Sequence, residues 1–241
     1  MRFEMAFPLR DENPVKGKPV LTISLIVLNS AIFLGCLLSG SFVQVVESYG
    51  MVPREIVRGQ RLYTLITSMF LHGGYLHIIG NMWYLWIFGD NIEDACGRLR
   101  FLLLYFAGGL MASLAHILSD PSSPIPTIGA SGAISSVLGA YLVLYPKANV
   151  LTLVTAFFIW HLVKIPAIAF LGFWFLLQVL SASVLLVARI PSTVAYWAHI
   201  GGFLAGAGLV LLLRRHPKRR RMTFGYAWGS TRLKMLPRRW S

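Results

Sequence analysis

Four polar side chains set in apolar stretches have the types and spacing to do chemistry: His77, Asn81, Ser131 and His199. Ser131 lies in Gly129-Ala130-Ser131-Gly132, between a proline-rich loop and a short apolar run, so it is expected to open a helix. A serine there has free backbone N–H groups and the positive end of the helix dipole beside it. Gly129 and Gly132 leave room for a bound peptide to approach the backbone. Taken alone, the same motif suits an ordinary N-cap serine, and Ala133 departs from the hydrolase elbow G-x-S-x-G. His199 precedes Gly202 and Gly206, a G-x-x-x-G face on which two helices can pack backbone to backbone. His77 and Asn81 stand four residues apart on one helix face, and both carry N–H donors. Each histidine, alone, could equally be glue between helices. Together the four supply a nucleophile, a base and donors for an oxyanion. No acidic residue or third histidine stands near His77 at metal-ligand spacing, and neither a metal nor a cofactor is expected.

The elements that must position these residues are apolar. The chain has 241 residues, 56% of them hydrophobic and only 13% charged, against about 25% charged in soluble domains. A bilayer crossing takes roughly 20 apolar residues, and apolar runs that read as spans occupy 20–38, 76–92, 99–118, 131–145, 166–187 and 194–213, the fourth of them short and full of small residues. The expected fold is therefore an all-α polytopic membrane protein, a six-transmembrane-helix bundle over 20–213. An N-terminal segment, 1–19, precedes it and a basic tail, 214–241, follows. Pro8, Pro14, Pro19 and mixed charge in the first segment do not read as a signal peptide, so the first span is expected to serve as its own insertion signal. Segment 39–75 is too polar to cross, and 61–71 is expected at the interface or partly re-entrant. Pro121, Pro124 and Pro126 predict an extended loop before Ser131. Within 148–165, the apolar, β-branched stretch Val150 to Trp160 is too short for a span and is broken by His161 and Lys164, so the segment reads as a cytoplasmic interfacial hairpin. Cys36 and Cys96 show no pairing or metal pattern.

Charge orients the bundle. The net charge is +13, yet ten of the 22 Lys and Arg lie at or beyond Arg214, directly after an apolar run. That placement points to anionic lipid headgroups as the partner of the tail, not to nucleic acid. With the N-terminus in the cytoplasm and six spans, 18 of the 22 basic residues fall on the cytoplasmic side and 4 on the other. The positive-inside rule favours this arrangement, with both termini cytoplasmic. His77, Ser131 and His199 then share one depth, in the outer half of the membrane.

His77-x-x-x-Asn81, Gly129-x-Ser131-Gly132 and Ala198-His199-x-x-Gly202-x-x-x-Gly206 resemble, in order and placement, the signature motifs of rhomboid proteases. The similarity includes the lead-in Thr67-Ser68-Met69-Phe70-Leu71-His72-Gly73-Gly74 and extends over roughly residues 20–213. The resemblance implies a six-helix bundle that cleaves transmembrane protein substrates within or near the membrane. It implies Ser131 as nucleophile and His199 as general base. His77, Asn81 and the Ser131 N–H would hold the oxyanion, and His72 would play a structural part. Two departures stand out. Many members carry Trp-Arg where this chain has Tyr63-Thr64, and some carry a histidine-stacking tyrosine where it has Ser135. Another residue must therefore orient His199, and no carboxylate is placed to do so. A non-catalytic protein of the same fold that binds transmembrane clients is the reading from another class; a transporter would need ionisable residues along a full pathway. The short loops and the lack of a targeting presequence point to a bacterial inner membrane.

Overall fold

The computed structural model describes residues 6–156, 159–188, 192 and 194–214. In chain order the elements are β1 Ala6–Asp11, α1 Val20–Leu38, α2 Phe42–Tyr49, α3 Pro53–Val57, α4 Thr64–Thr67, a 3-10 turn Ser68–Phe70, α5 Tyr75–Cys96 and α6 Arg98–Ser119. They continue with α7 Ser131–Leu144, β2 Asn149–Ala156, β3 Ile159–Pro166, α8 Ala167–Ala188 and α9 Tyr196–Leu213. The basic tail from 215 onward, and with it the expected lipid contact, lies outside the described residues.

Helices α1, α6, α8 and α9 are long and apolar enough to cross a membrane by length and composition. Their outward faces carry large apolar side chains such as Val27, Leu103, Phe173 and Leu204. Helix α5 is long as well, but polar at its end, where Asp90, Asn91, Glu93 and Asp94 cluster. Helix α7 has 14 residues, about 21 Å at 1.5 Å per residue, which is short of the ~30 Å hydrocarbon layer. It is buried without a break from Gly132 to Tyr141 and packs against α5, α6, α8 and α9. A helix enclosed by its neighbours need not match the lipid thickness, because other helices surround its ends.

The end of α5 also anchors α1. Pro19 precedes α1 and gives it no side-chain cap. Glu93 supplies one from elsewhere: its carboxylate accepts the N–H groups of Leu21 (3.0 Å) and Thr22 (2.8 Å) and the Thr22 hydroxyl (2.9 Å). Asp94 accepts the N–H of Gly17 at 3.1 Å.

The all-α expectation fails at the three strands, which form one antiparallel sheet in the order β1-β2-β3. The stretch read as an interfacial hairpin is β2 and β3, paired from Asn149↔Pro166 to Ala156↔Ile159. The third strand comes from the N-terminal segment, where Asp11 pairs with Val150 and Ala6 with Val154. The ladder slips between Pro8 and Arg10, as expected of an edge strand holding a residue without an N–H. Three contacts fasten β1 to the helices. Trp83 donates to the Pro8 carbonyl at 2.7 Å, and Asp11 accepts from the Tyr141 hydroxyl and the Asn91 amide, both at 2.7 Å.

Segment 39–75 is a compact run of short helices. Arg61, held at φ +48, pairs with Glu55 at 2.7 Å. Tyr63 donates its hydroxyl to the Ser48 carbonyl at 3.0 Å. The loop before Ser131 is extended and fastened to this segment. Met51 and Thr127 exchange N–H···O bonds of 3.1 and 2.8 Å, and Gly129 donates to the Ser68 carbonyl at 2.9 Å.

Candidate active site

Helices α7 and α9 touch backbone to backbone, and that contact sets the site. A methyl group on Gly206 would lie 1.8 Å from the Ser136 carbonyl oxygen, and one on Gly202 would lie 2.2 Å from that of Gly132. At this separation His199 Nε2 is 2.9 Å from Ser131 Oγ. The other ring nitrogen, Nδ1, is 2.8 Å from Gln178 Oε1 on α8. The Gln178 amide nitrogen donates to the Trp174 carbonyl at 3.3 Å, so its oxygen is the atom that faces the imidazole. In the tautomer with the proton on Nδ1, the Nε2 lone pair can accept the Ser131 hydroxyl. Trp174 lies alongside the ring with centroids 6.0 Å apart, and Tyr196 meets it edge-on at 6.4 Å.

His77, on α5, also lies near Ser131. Its Nδ1 accepts the Gly73 N–H at 3.2 Å, which leaves the proton on Nε2. A methyl group on Gly129 would sit 2.8 Å from His77 Nε2 and 3.6 Å from Ser131 Oγ, so the two atoms border one small space. Gly129 keeps it open at φ +130, a conformation L side chains rarely adopt. The Ser131 N–H is left without a helical acceptor, since the first helical bond of α7 runs from Ile134 to Ala130. Asn81 is placed differently. Its amide donates to the His77 carbonyl at 2.8 Å, and among the described residues it makes no hydrogen bond to Ser131. Gly132 is used in packing: a methyl there would meet Ala112 at 2.6 Å.

A cavity of about 30 Å³ adjoins Ser131, with Ser68, Ser113, His116 and Thr127 in its wall. His116 Nε2 lies 2.9 Å from Thr127 Oγ1. The space and the polar lining suit one water. His72 is buried and meets His77 edge-on at 5.1 Å. Burial, reinforced by His77, holds its pKa down at about 4, so it is neutral at pH 7. Among the described residues no group of three His, Cys, Asp or Glu is placed to hold a metal.

Residues 59–216 match the Rhomboid domain family. The chain belongs to the rhomboid family. Among its curated relatives, RHOMBOID-like protein 5 of Arabidopsis thaliana is 35% identical over 180 residues, 74% of this chain and 53% of that protein. RHOMBOID-like protein 6, mitochondrial, of the same plant is 33% identical over 68% of this chain and 48% of its own length. Rhomboid protease GluP of Bacillus subtilis is 34% identical over 52% of this chain and 25% of its length. The rhomboid chain thus spans about half the length of the plant relatives and a quarter of GluP.

Within this rhomboid fold the sequence motifs brought Ser131, His199 and His77 into view, but not Gln178, Trp174, Tyr196 or His116. A signal for Gln178 was present: it is a lone amide in the apolar run Phe173-Trp174-Phe175-Leu176-Leu177-Gln178-Val179-Leu180, and polar residues inside spans tend to be functional.

Proposed function

We propose that this rhomboid is an intramembrane serine endopeptidase that cleaves transmembrane proteins near the outer membrane face with a Ser131–His199 dyad. The observation that carries the reading is the 2.9 Å hydrogen bond between Ser131 Oγ and His199 Nε2, made across two helices. As Oγ attacks the carbonyl carbon of the scissile peptide, its proton passes to Nε2 and the carbonyl π electrons move onto oxygen. The oxyanion lies by the His77 Nε2–H and the Ser131 N–H; Asn81 gives one amide N–H to the His77 carbonyl and keeps the second for the oxyanion. Collapse breaks the C–N bond, and the leaving amine takes the proton from His199. Water from the adjoining cavity then attacks the acyl carbon, gives a proton to His199, and expels Ser131 Oγ, which recovers that proton. Proton transfer of this kind contributes about 10²–10⁴-fold and one oxyanion donor about 10²–10³-fold.

The reading includes six membrane spans, α1 and α5–α9, with both termini on the cytoplasmic side. Lys147 and Lys164 lie on the side of the sheet, and Arg54, Arg58 and Arg61 on that of segment 39–75, which agrees with the basic-residue count. The substrate helix must unwind locally to expose a peptide bond, so spans with small or helix-weakening residues near the outer surface are preferred substrates. The proposed membrane of residence is a bacterial inner membrane; the relatives named above come from a plant and from Bacillus.

The test is cleavage of single-span proteins by purified enzyme in liposomes. Wild type should cut, while Ser131→Ala and His199→Ala should each fall to background with substrate binding kept. Binding without cleavage by wild type, across a varied set of spans, would leave a client-binding protein instead.

A further inference from the structure

We propose that Gln178 is the positioning residue of the site: its side-chain carbonyl holds His199 in the Nδ1–H tautomer, with Nε2 aimed at Ser131. The kinetic part of this inference rests on the proteolytic reading above; the tautomer part does not.

Three observations carry it. The Gln178 Oε1–His199 Nδ1 distance, 2.8 Å, is that of a good hydrogen bond, and the residues stand on different helices. The amide cannot be reversed at no cost, because its nitrogen donates to the Trp174 carbonyl. Reversal would set two oxygens against each other at one end and two N–H donors at the other. Finally, Ser135, at the position where a tyrosine would stack on the histidine, spends its hydroxyl on the Ser131 carbonyl at 2.7 Å. Gln178 is the group that does this work, and Trp174 and Tyr196 flank the ring it holds.

An amide suits the location. A carboxylate would orient the imidazole equally well, as in the soluble serine-protease triad, but an ionised carboxylate at this depth in a bilayer is costly. The glutamine keeps the acceptor and omits the charge. It also ties α8, which packs mainly on α9, to the chemistry through one bond.

Two variants separate positioning from packing. Gln178→Met keeps length and volume and removes the strong acceptor; Gln178→Glu keeps an oxygen at the same place. In liposomes with a single-span substrate, Gln178→Met should lower kcat about ten- to a hundredfold with KM within about twofold, a loss inside the range of a general base. Gln178→Glu should recover most of that loss. In parallel, ¹⁵N spectra of histidine-labelled protein report the tautomer directly, with the His199 signals assigned by their loss in His199→Asn. Wild type should show one Nδ1–H tautomer, and Gln178→Met a mixture. Unchanged kcat and an unchanged tautomer in Gln178→Met would overturn the assignment. So would a wild-type His199 protonated at Nε2, which decides the matter even if the variant does not fold. Absence of Ser131-dependent cleavage by wild type would remove the proteolytic reading and leave the spectra to judge Gln178.

Discussion

Of the two side chains expected to hold an oxyanion, His77 turns an N–H into the space beside Ser131, while Asn81 bonds to the backbone behind it. Their variants should therefore differ. His77→Ala is expected to lower kcat by about 10²–10³-fold, the usual loss of one donor, and Asn81→Ala by less than about tenfold; steady-state cleavage by the two proteins measures both. His72 gives a different kind of prediction. Its folded pKa, about 4, lies below the ordinary 6.5 because burial and His77 oppose the charge. Between those values the unfolded chain binds a proton that the folded chain refuses. Stability contributed at neutral pH is thus lost as pH falls from 6.5 toward 4, by up to about 3 kcal/mol. Thermal unfolding of wild type and His72→Phe across this range should show the acid-side loss in wild type and a flatter profile in the variant. At this scale the sequence revealed what sits in a local motif. Ser131 and His199 each carry neighbours that mark them, whereas Gln178 becomes meaningful only when α8 is laid against α9, twenty-one positions from its partner.

Helix separation governs the site at the next scale. Gly206→Ala would put a methyl group 1.8 Å from the Ser136 carbonyl oxygen, and α9 must retreat to relieve it. Overpacking costs about 1–3 kcal/mol, and an ångström of misplacement can cost about 10²-fold in rate. The expected outcome is a lower melting temperature and cleavage near 1% of wild type. Glu93 acts on stability rather than on the dyad. Glu93→Ala leaves the N–H groups of Leu21 and Thr22 without their acceptor, at a cost of about 1–3 kcal/mol for a buried unsatisfied group. Its melting temperature should fall, while turnover per folded molecule at low temperature stays near wild type. The helices were legible because each apolar run is continuous: the first was read at 20–38 and α1 is Val20–Leu38. The hairpin was legible from its β-branched content. Strand β1 was not, since six residues containing a proline and two charges acquire a ladder only from a partner far along the chain.

For the molecule as a whole, labelling tests the proposed orientation. In sealed vesicles of known sidedness, a single cysteine at position 58 should react with a membrane-impermeant reagent from outside, and one at position 164 only after permeabilisation. Equal labelling of both from one side would reverse or abolish the proposed topology. The pairing of Asp11 with Val150 has a further consequence, for synthesis. Strand β1 precedes every described helix, yet its partner follows roughly 140 residues later, a delay of roughly 7–30 s at 5–20 residues per second. During that interval its edge is open to any passing strand. Pro8, Arg10 and Asp11 are of the kinds that discourage such pairing, one by lacking a donor and two by charge. The residues that make β1 a poor strand to predict are thus the ones that keep it single until the ribosome delivers β2.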